Sequence, residues 1–240
     1  MTAVLELMGV SRVYRNGRGL KNTSLSMSEG EIVGLLGANG SGKTTLMKIA
    51  CGLTRPDTGE ACVMGESVKD APEKALAFVG ALIETPALYP FMNGRDNLLC
   101  ASDYLGIRGK KAAMDVLQKV GLSDFAKDKV KSYSLGMKQR LGLAMAFIGG
   151  KKLLLMDEPT NGLDIESAAQ IKDAIKTMCC ESGAAAIVSS HLASEIERFA
   201  TRVIILHDGM VLKDVPISEV TKDGRTLEDY YLAVRRGETV

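Results

Sequence analysis

Two regimes of hydrophobic patterning alternate along this chain. Short, nearly continuous apolar runs have the length of buried strands: "EIVGLL" (31–36), "LLLMD" (153–157), "AAAIVSS" (184–190) and "RVIILHD" (202–208). Between them, apolar residues recur at helical spacing. One such segment opens at about Lys43 and carries Leu46, Ile49, Ala50 and Leu53 on a common face. Strands alternating with helices predict a parallel sheet. The first 30 residues read instead as short strands with turns, closing at Glu29–Gly30. "RPDTGE" (55–60) has turn chemistry, and the apolar segment "LAFVGALI" (76–83) follows it.

From about Ala87 to Gly149 the pattern turns helical. Met114, Leu117 and Val120 share a face, and Gly121 stands where that helix should stop. This stretch predicts a helical lobe inserted into the sheet domain. Near the C-terminus, "TLEDYYLAVRRGE" (226–238) reads as one helix with Leu227, Tyr231 and Val234 on a common face, packed against the core.

Composition narrows the picture. A formal net charge of +1 argues against a dedicated nucleic-acid binder, which shows a basic footprint. No apolar run approaches the roughly 18 to 20 residues of a membrane helix. The opening "MTAVLELMGVSRVYR" lacks the basic-then-apolar layout of a secretion signal. Cysteines are odd in number and scattered (Cys51, Cys62, Cys100, Cys179, Cys180), with no C-x-x-C pair. Reduced thiols in a soluble intracellular protein are therefore expected.

The chemistry begins at "GANGSGKTT" (37–45), which satisfies G-x-x-x-x-G-K-[ST] with Gly37, Gly42, Lys43 and Thr44, between a strand and a helix. Glycines let successive backbone N–H groups turn inward around an oxyanion, where side chains would block the approach. The helix from Lys43 adds its positive dipole end. Lys43 supplies a full charge for the β and γ phosphates, and the Thr44 hydroxyl is a hard oxygen ligand suited to Mg²⁺. Such a loop holds a nucleoside triphosphate.

"LLLMDEP" places two acids at the end of a buried strand. Asp157 is the candidate metal anchor, and Glu158 the candidate general base for an attacking water. His191 ends the strand "AIVSSH". It is either an ordinary satisfied polar residue or, at a strand end facing the ligand crevice, a partner for the γ-phosphate. "YSLGMKQRLGLAMAF" (133–147) has two readings as well. Ser134 caps a buried helix, or Ser134 and the Gly136 backbone form a second phosphate-binding helix start that serves a nucleotide on another copy.

These pieces in this order resemble the ATP-binding subunit of ATP-binding-cassette (ABC) transporters, over about residues 3 to 215. "GANGSGKTT" looks like the family's Walker A, "LLLMDEP" its Walker B, "NGLD" (161–164) its D-loop and "SSH" its switch histidine. "YSLGMKQR" is similar to the L-S-G-G-Q signature, with Ser134 and Gly136 kept while Tyr133, Leu135 and Met137 depart. Tyr14 occupies the place of the aromatic residue that stacks on adenine.

The resemblance implies an α/β P-loop NTPase fold: a RecA-like core with a parallel sheet, an antiparallel β subdomain and an inserted helical subdomain. The expected division is one domain over 1–240. The α/β core and β subdomain take 1–86 and 150–216, the helical subdomain 87–149, and a C-terminal helical tail 217–240. It further implies ATP and Mg²⁺, with Asn39, Gly40, Ser41, Gly42, Lys43, Thr44 and Thr45 around the phosphates. Two copies, or one copy and a sister cassette, would close head to tail on ATP, each nucleotide lying between one P-loop and the other subunit's Ser134 and Gly136. A separate membrane permease would convert closing and opening into transport, docking near residues 85–100. That places the chain in the cytoplasm, peripheral on the inner face of the cell membrane.

One departure narrows the branch. The family's glutamine at the junction of core and helical lobe is missing; no Gln occurs between Lys43 and Gln118, and "ALIETPALYP" offers Glu84. Glu84 is thus a candidate catalytic residue and metal ligand beside Thr44 and Asp157. Its added negative charge near Asp157 and Glu158 predicts a raised pKa without metal. "LIETPALYP…DNL" with "YSLGMKQRL" resembles cassettes that export bacitracin and lantibiotic-type peptides. An alternative is a cassette ATPase acting on ribosomes or DNA, but no sustained heptads separate Lys43 from Ser134. A P-loop kinase or GTPase leaves Ser134 and His191 without a task, and no N-K-x-D motif is present.

Overall fold

The computed structural model describes residues 3–107 and 110–238. Strands β1 (Leu5–Val13) and β2 (Gly19–Met27) form an antiparallel pair ahead of β3 (Ile32–Leu36) and α1 (Lys43–Ala50). Then come β4 (Thr58–Val63), β5 (Glu66–Ser67), α2 (Pro72–Ala77) and β6 (Val79–Leu82). The helical stretch holds α3 (Gly94–Tyr104), α4 (Lys110–Lys119) and α5 (Leu135–Phe147). After it, β7 (Leu153–Met156), α6 (Ile165–Ser182), β8 (Ala185–Ser190), α7 (Ala193–Glu197) and β9 (Arg202–His207) alternate. The chain closes with β10 (Met210–Pro216), α8 (Ile217–Val220) and α9 (Leu227–Arg236).

Two sheets result. The smaller has order β2-β1-β4-β5 with antiparallel pairs; the larger has order β10-β9-β3-β8-β7-β6. Five strands of the larger sheet run parallel, and β10 joins its edge antiparallel to β9. The apolar runs read from the sequence are continuous because both faces of this sheet are covered. In β3, Ile32 and Leu36 enter one hydrophobic cluster, whereas Val33 and Leu35 enter the other. The same period of two divides β7: Leu154 and Met156 face one way, Leu153 and Leu155 the other.

The first cluster extends unbroken from the sheet into the helical stretch, joining Leu98 of α3, Leu117 of α4 and Leu141 of α5 to Ile175 of α6. The second fills the space between the two sheets and takes in Leu46, Met47 and Ile49 of α1. Close approaches fix the contacts. A Cβ on Gly80 of β6 would lie 1.9 Å from the Ala146 carbonyl oxygen of α5, and one on Gly34 of β3 2.1 Å from Cγ2 of Ile196 in α7. Only glycine fits at those two positions.

The structure corrects two side-chain assignments. Leu53 is 67% exposed and leaves the α1 face, because the helix ends at Ala50 and Gly52 turns the chain at φ 70°. In α9 the residue buried with Leu227 and Val234 is Tyr230, while Tyr231 is partly buried beside it. The apolar segment 76–83 is shared between the end of α2 and β6, since Pro72 opens a helix that lasts until Ala77.

Candidate functional site

Strand order assembles the site. β3, β8 and β7 are neighbours in one parallel sheet, so the loops leaving their C-terminal ends lie side by side. β3 delivers Gly37–Thr45, β7 delivers Asp157 and Glu158, and β8 delivers His191. A cavity of about 260 Å³ over the glycine loop is lined by Tyr14, Asn39, Gly40, Gly42, Lys43, Thr44, Thr45 and Glu158, with Asn16 and Arg18 added.

The loop's backbone is held in a shape that excludes side chains. Gly42 has φ 111°, and a Cβ there would come within 2.7 Å of the Gly19 carbonyl oxygen. It begins α1 with no side-chain cap, which leaves the first-turn amides free for an anion. Ser41 is buried, with its Oγ packed against Gly37 and no hydrogen-bond partner.

Lys43 is 5% exposed. Its ammonium donates to the carbonyl oxygens of Gly37 (2.7 Å) and Ala38 (3.2 Å) and stands 3.7 Å from Glu158 Oε1. Burial pushes its pKa down, opposed by the charges of Glu158 and Asp157. Thr44 Oγ1 donates to Asp157 Oδ2 at 2.7 Å, and Ser189 Oγ donates to the other carboxylate oxygen, Oδ1, at 2.7 Å. The same Ser189 hydroxyl accepts the Glu158 amide at 2.9 Å, which fixes Glu158 at a left-handed φ of 47°. His191 Nδ1 lies 3.2 Å from Glu158 Oε2. Lys43, Thr44, Asp157, Glu158 and His191 thus form one connected polar group. Sequence reasoning passed over Ser189, although "SSH" put a second hydroxyl in reach of the acids.

Thr44 and Asp157 fit a hard divalent cation: a hydroxyl and a carboxylate oxygen in mutual contact, with Thr44 on the cavity wall. Glu84 does not join them. Its carboxylate, 66% exposed, pairs at 2.8 Å with Lys48 Nζ of α1 and is absent from the cavity lining. The Lys48 hydrogen bond and charge hold its pKa below the usual carboxylate range. The raised value expected from neighbouring acids is therefore reversed, because a cation four residues beyond Thr44 takes the carboxylate instead.

Tyr14 is 38% exposed at the cavity mouth, with the Arg12 guanidinium 5.3 Å above its ring. Ser134 caps α5 by accepting the Met137 amide, and neither Ser134 nor Gly136 lines the cavity of its own chain. One departure from the signature, Tyr133, has a local cause. Tyr133 is buried and its hydroxyl donates to the Phe125 carbonyl at 2.7 Å, and burial raises its pKa. Leu135, by contrast, is 52% exposed. Gly136 sits against α6, where a Cβ would lie 2.7 Å from Ser167 Oγ.

A glycine loop between a buried strand and a helix, faced by two acids from the second strand over and a histidine from the strand between, defines a P-loop nucleotide hydrolase. Comparison with known proteins narrows the class. The family model described as ABC transporter matches residues 20–161. The chain is 37% identical over 92% of its length to an uncharacterized ABC transporter ATP-binding protein, YcbN of Bacillus subtilis (strain 168), covering 72% of that protein. It is 34% identical over 97% of its length to the bacitracin transport ATP-binding protein BcrA of Bacillus licheniformis, covering 76% of it. The lantibiotic transport ATP-binding protein SrtF of Streptococcus pyogenes is 34% identical, with 87% of this chain and 89% of SrtF aligned.

Among solved structures, an ATP-binding subunit of an ABC transporter superposes with TM-score 0.85 at 26% identity, over 97% of this chain and 99% of that one. A dimeric post-hydrolysis state of the cassette MJ0796 bound to ADP and Pi gives 0.77 at 27% identity, over 89% and 98%. This chain belongs to the ABC transporter family. It is an ATP-binding and ATP-hydrolysing transporter subunit, and the kinase, GTPase and ribosome- or DNA-directed readings fall away.

Proposed function

We propose that this subunit drives export of a peptide antibiotic of the bacitracin or lantibiotic class through a separate permease, by closing as a dimer on Mg²⁺-ATP. One observation carries the mechanism. Lys43, Thr44, Asp157, Glu158 and His191 converge in each chain, whereas Ser134 and Gly136 begin a helix outside that cavity. A second copy brings the missing half, so each nucleotide lies between one P-loop and the partner's signature helix. The partner is another copy or a sister cassette.

In this reading Lys43 leaves the Gly37 and Ala38 carbonyls for the β and γ phosphate oxygens, and the free α1 amides cradle the β-phosphate. Thr44 and Asp157 hold Mg²⁺, which neutralises developing phosphate charge when bound. Glu158, oriented by Ser189 and His191, takes the proton of the attacking water. His191 passes from Glu158 to the γ-phosphate and registers its presence. Tyr14 stacks on the adenine.

Support for permease docking comes from a cavity of about 440 Å³ between the sheet edge and the helical stretch, lined by Leu53, Leu82, Pro86, Ala101, Leu105 and Met145. Ile83 and Thr85, which flank Glu84, also line it, so an occupant of the groove bears on the Glu84–Lys48 pair. Among the described residues no helix is long and apolar enough to cross a membrane, consistent with a peripheral subunit on the cytoplasmic face. The relatives named for bacitracin and lantibiotic transport carry the cargo assignment.

The test is Glu158→Gln with ATP and Mg²⁺. The variant binds nucleotide, fails to cleave it and elutes as a dimer in size exclusion. A protein that stays monomeric at saturating ATP contradicts the sandwich.

A further inference from the structure

Glu195 lies outside the nucleotide cavity, yet it ties together three segments that surround the site. Its Oε2 accepts the Ser190 hydroxyl (3.0 Å) and the Thr160 hydroxyl (3.0 Å), and its Oε1 stands 3.6 Å from Lys172 Nζ. Ser190 immediately precedes His191, and its Oγ also accepts the Leu192 amide at 3.0 Å. The switch histidine is therefore flanked on both sides by groups bound to one hydroxyl, and that hydroxyl is bound to Glu195. Thr160 stands between Glu158 and the 161–164 loop, and Lys172 lies on the helix that this loop feeds.

The carboxylate and its cation are largely withdrawn from water, with side-chain exposures of 21% and 19%. Their support is rigid. Ile196 of α7 packs on Gly34 of β3, and the Glu197 carboxylate accepts the Leu227 amide of α9. A short helix gripped on both sides makes a fixed post for Glu195.

We propose that Glu195 is a positioning residue that locks the switch-histidine loop to the segment joining Glu158 with the 161–164 loop. The inference rests on the hydrolytic reading of the site. When the γ-phosphate leaves His191, the Ser190 turn shifts, and its shared acceptor carries that shift to Thr160. From there it reaches the 161–164 loop and the start of α6. No bond is made or broken at Glu195; it holds two hydroxyls in register.

The test compares Glu195→Gln, Thr160→Val, Thr160→Ser and the Glu195→Gln/Thr160→Val pair in the full-length subunit, with steady-state ATPase and thermal unfolding measured together. Gln keeps one oxygen for the two hydroxyls that share Oε2, but it carries no charge and turns an amide NH₂ toward Lys172, so both hydrogen bonds weaken; hydrogen bonds to charged groups are of a size to change a rate about tenfold. Expected are an approximately tenfold fall in kcat for Glu195→Gln and for Thr160→Val, with KM within about twofold of wild type. Thr160→Ser restores kcat, and the double variant is no slower than Glu195→Gln alone. Thr160→Val keeps the side-chain shape, so its result stands even where Glu195→Gln folds poorly.

Wild-type kcat in Thr160→Val, a rise in KM at constant kcat, or multiplying effects in the double variant each overturn the inference while leaving the hydrolytic reading intact. A wild-type subunit that binds ATP without ever cleaving it overturns both.

Discussion

Gly136→Ala tests the contact between the signature helix and the loop-fed helix α6. The new Cβ would fall 2.7 Å from Ser167 Oγ and 2.9 Å from Ser167 Cβ. Comfortable carbon contacts lie near 3.5 Å or beyond, so something must yield by more than about half an ångström. Ser167 is not free to do so: its amide donates to Asp164 Oδ1 at 2.9 Å and its hydroxyl to Asp164 Oδ2 at 2.8 Å. Moving it gives up a hydrogen bond of about 1 kcal/mol, and overpacking adds about 1–3 kcal/mol. Alanine returns up to ~1 kcal/mol of helix propensity. The net loss is about 2 kcal/mol, or about 4–8 °C in melting temperature for a chain of this size.

Thermal unfolding of Gly136→Ala, Ser167→Gly and the double variant measures this directly. Ser167→Gly removes both clashing atoms, so the double variant should recover at least ~1 kcal/mol relative to the sum of the singles. A cycle that is additive within about 0.5 kcal/mol, or a Gly136→Ala protein that melts with wild type, refutes the claimed contact.

Other outcomes follow from the site. Lys43→Ala removes the buried ammonium that we propose holds the β and γ phosphates, and should lower ATP hydrolysis at least about a thousandfold, read by phosphate release. Glu84→Gln should keep the isolated subunit's ATPase within about twofold, since Glu84 is paired with Lys48 away from the cavity; loss of that basal rate would make the carboxylate itself catalytic. The Glu84 pKa is depressed in the folded state, so its contribution to stability is present above the unfolded carboxylate pKa and is lost as pH falls through the depressed value. In an NMR titration the Glu84 carboxyl should move up toward the ordinary range in Lys48→Met; an unchanged titration would deny the pair.

The strands of the large sheet were readable because burial on both faces forces continuous apolar runs, and β3, β7, β8 and β9 are where those runs lie. The glycine loop and the acids of β7 were readable for another reason: phosphate chemistry leaves few residue choices. β10 went unread, since Met210–Pro216 is a half-exposed edge strand carrying Lys213 and Asp214. Glu84 was expected beside Asp157 and Glu158, whereas its carboxylate pairs with Lys48. Lys48 is 36 positions away, and a partner supplied by another element leaves no periodic trace. The hub at Glu195 was hidden in the same way, because Thr160, Lys172 and Ser190 belong to three different segments.

The apolar cluster that runs from Leu98, Leu117 and Leu141 into Leu154, Met156 and Ile175 has a mechanical consequence. An arm with no separate interior cannot melt by itself, so any swing it makes under load from a permease has to be a roll of intact helices over β6 and β7. Calorimetry should then record one heat absorption peak for the whole chain, and the slowest-exchanging amides of α5 and β7 should lose their protection together.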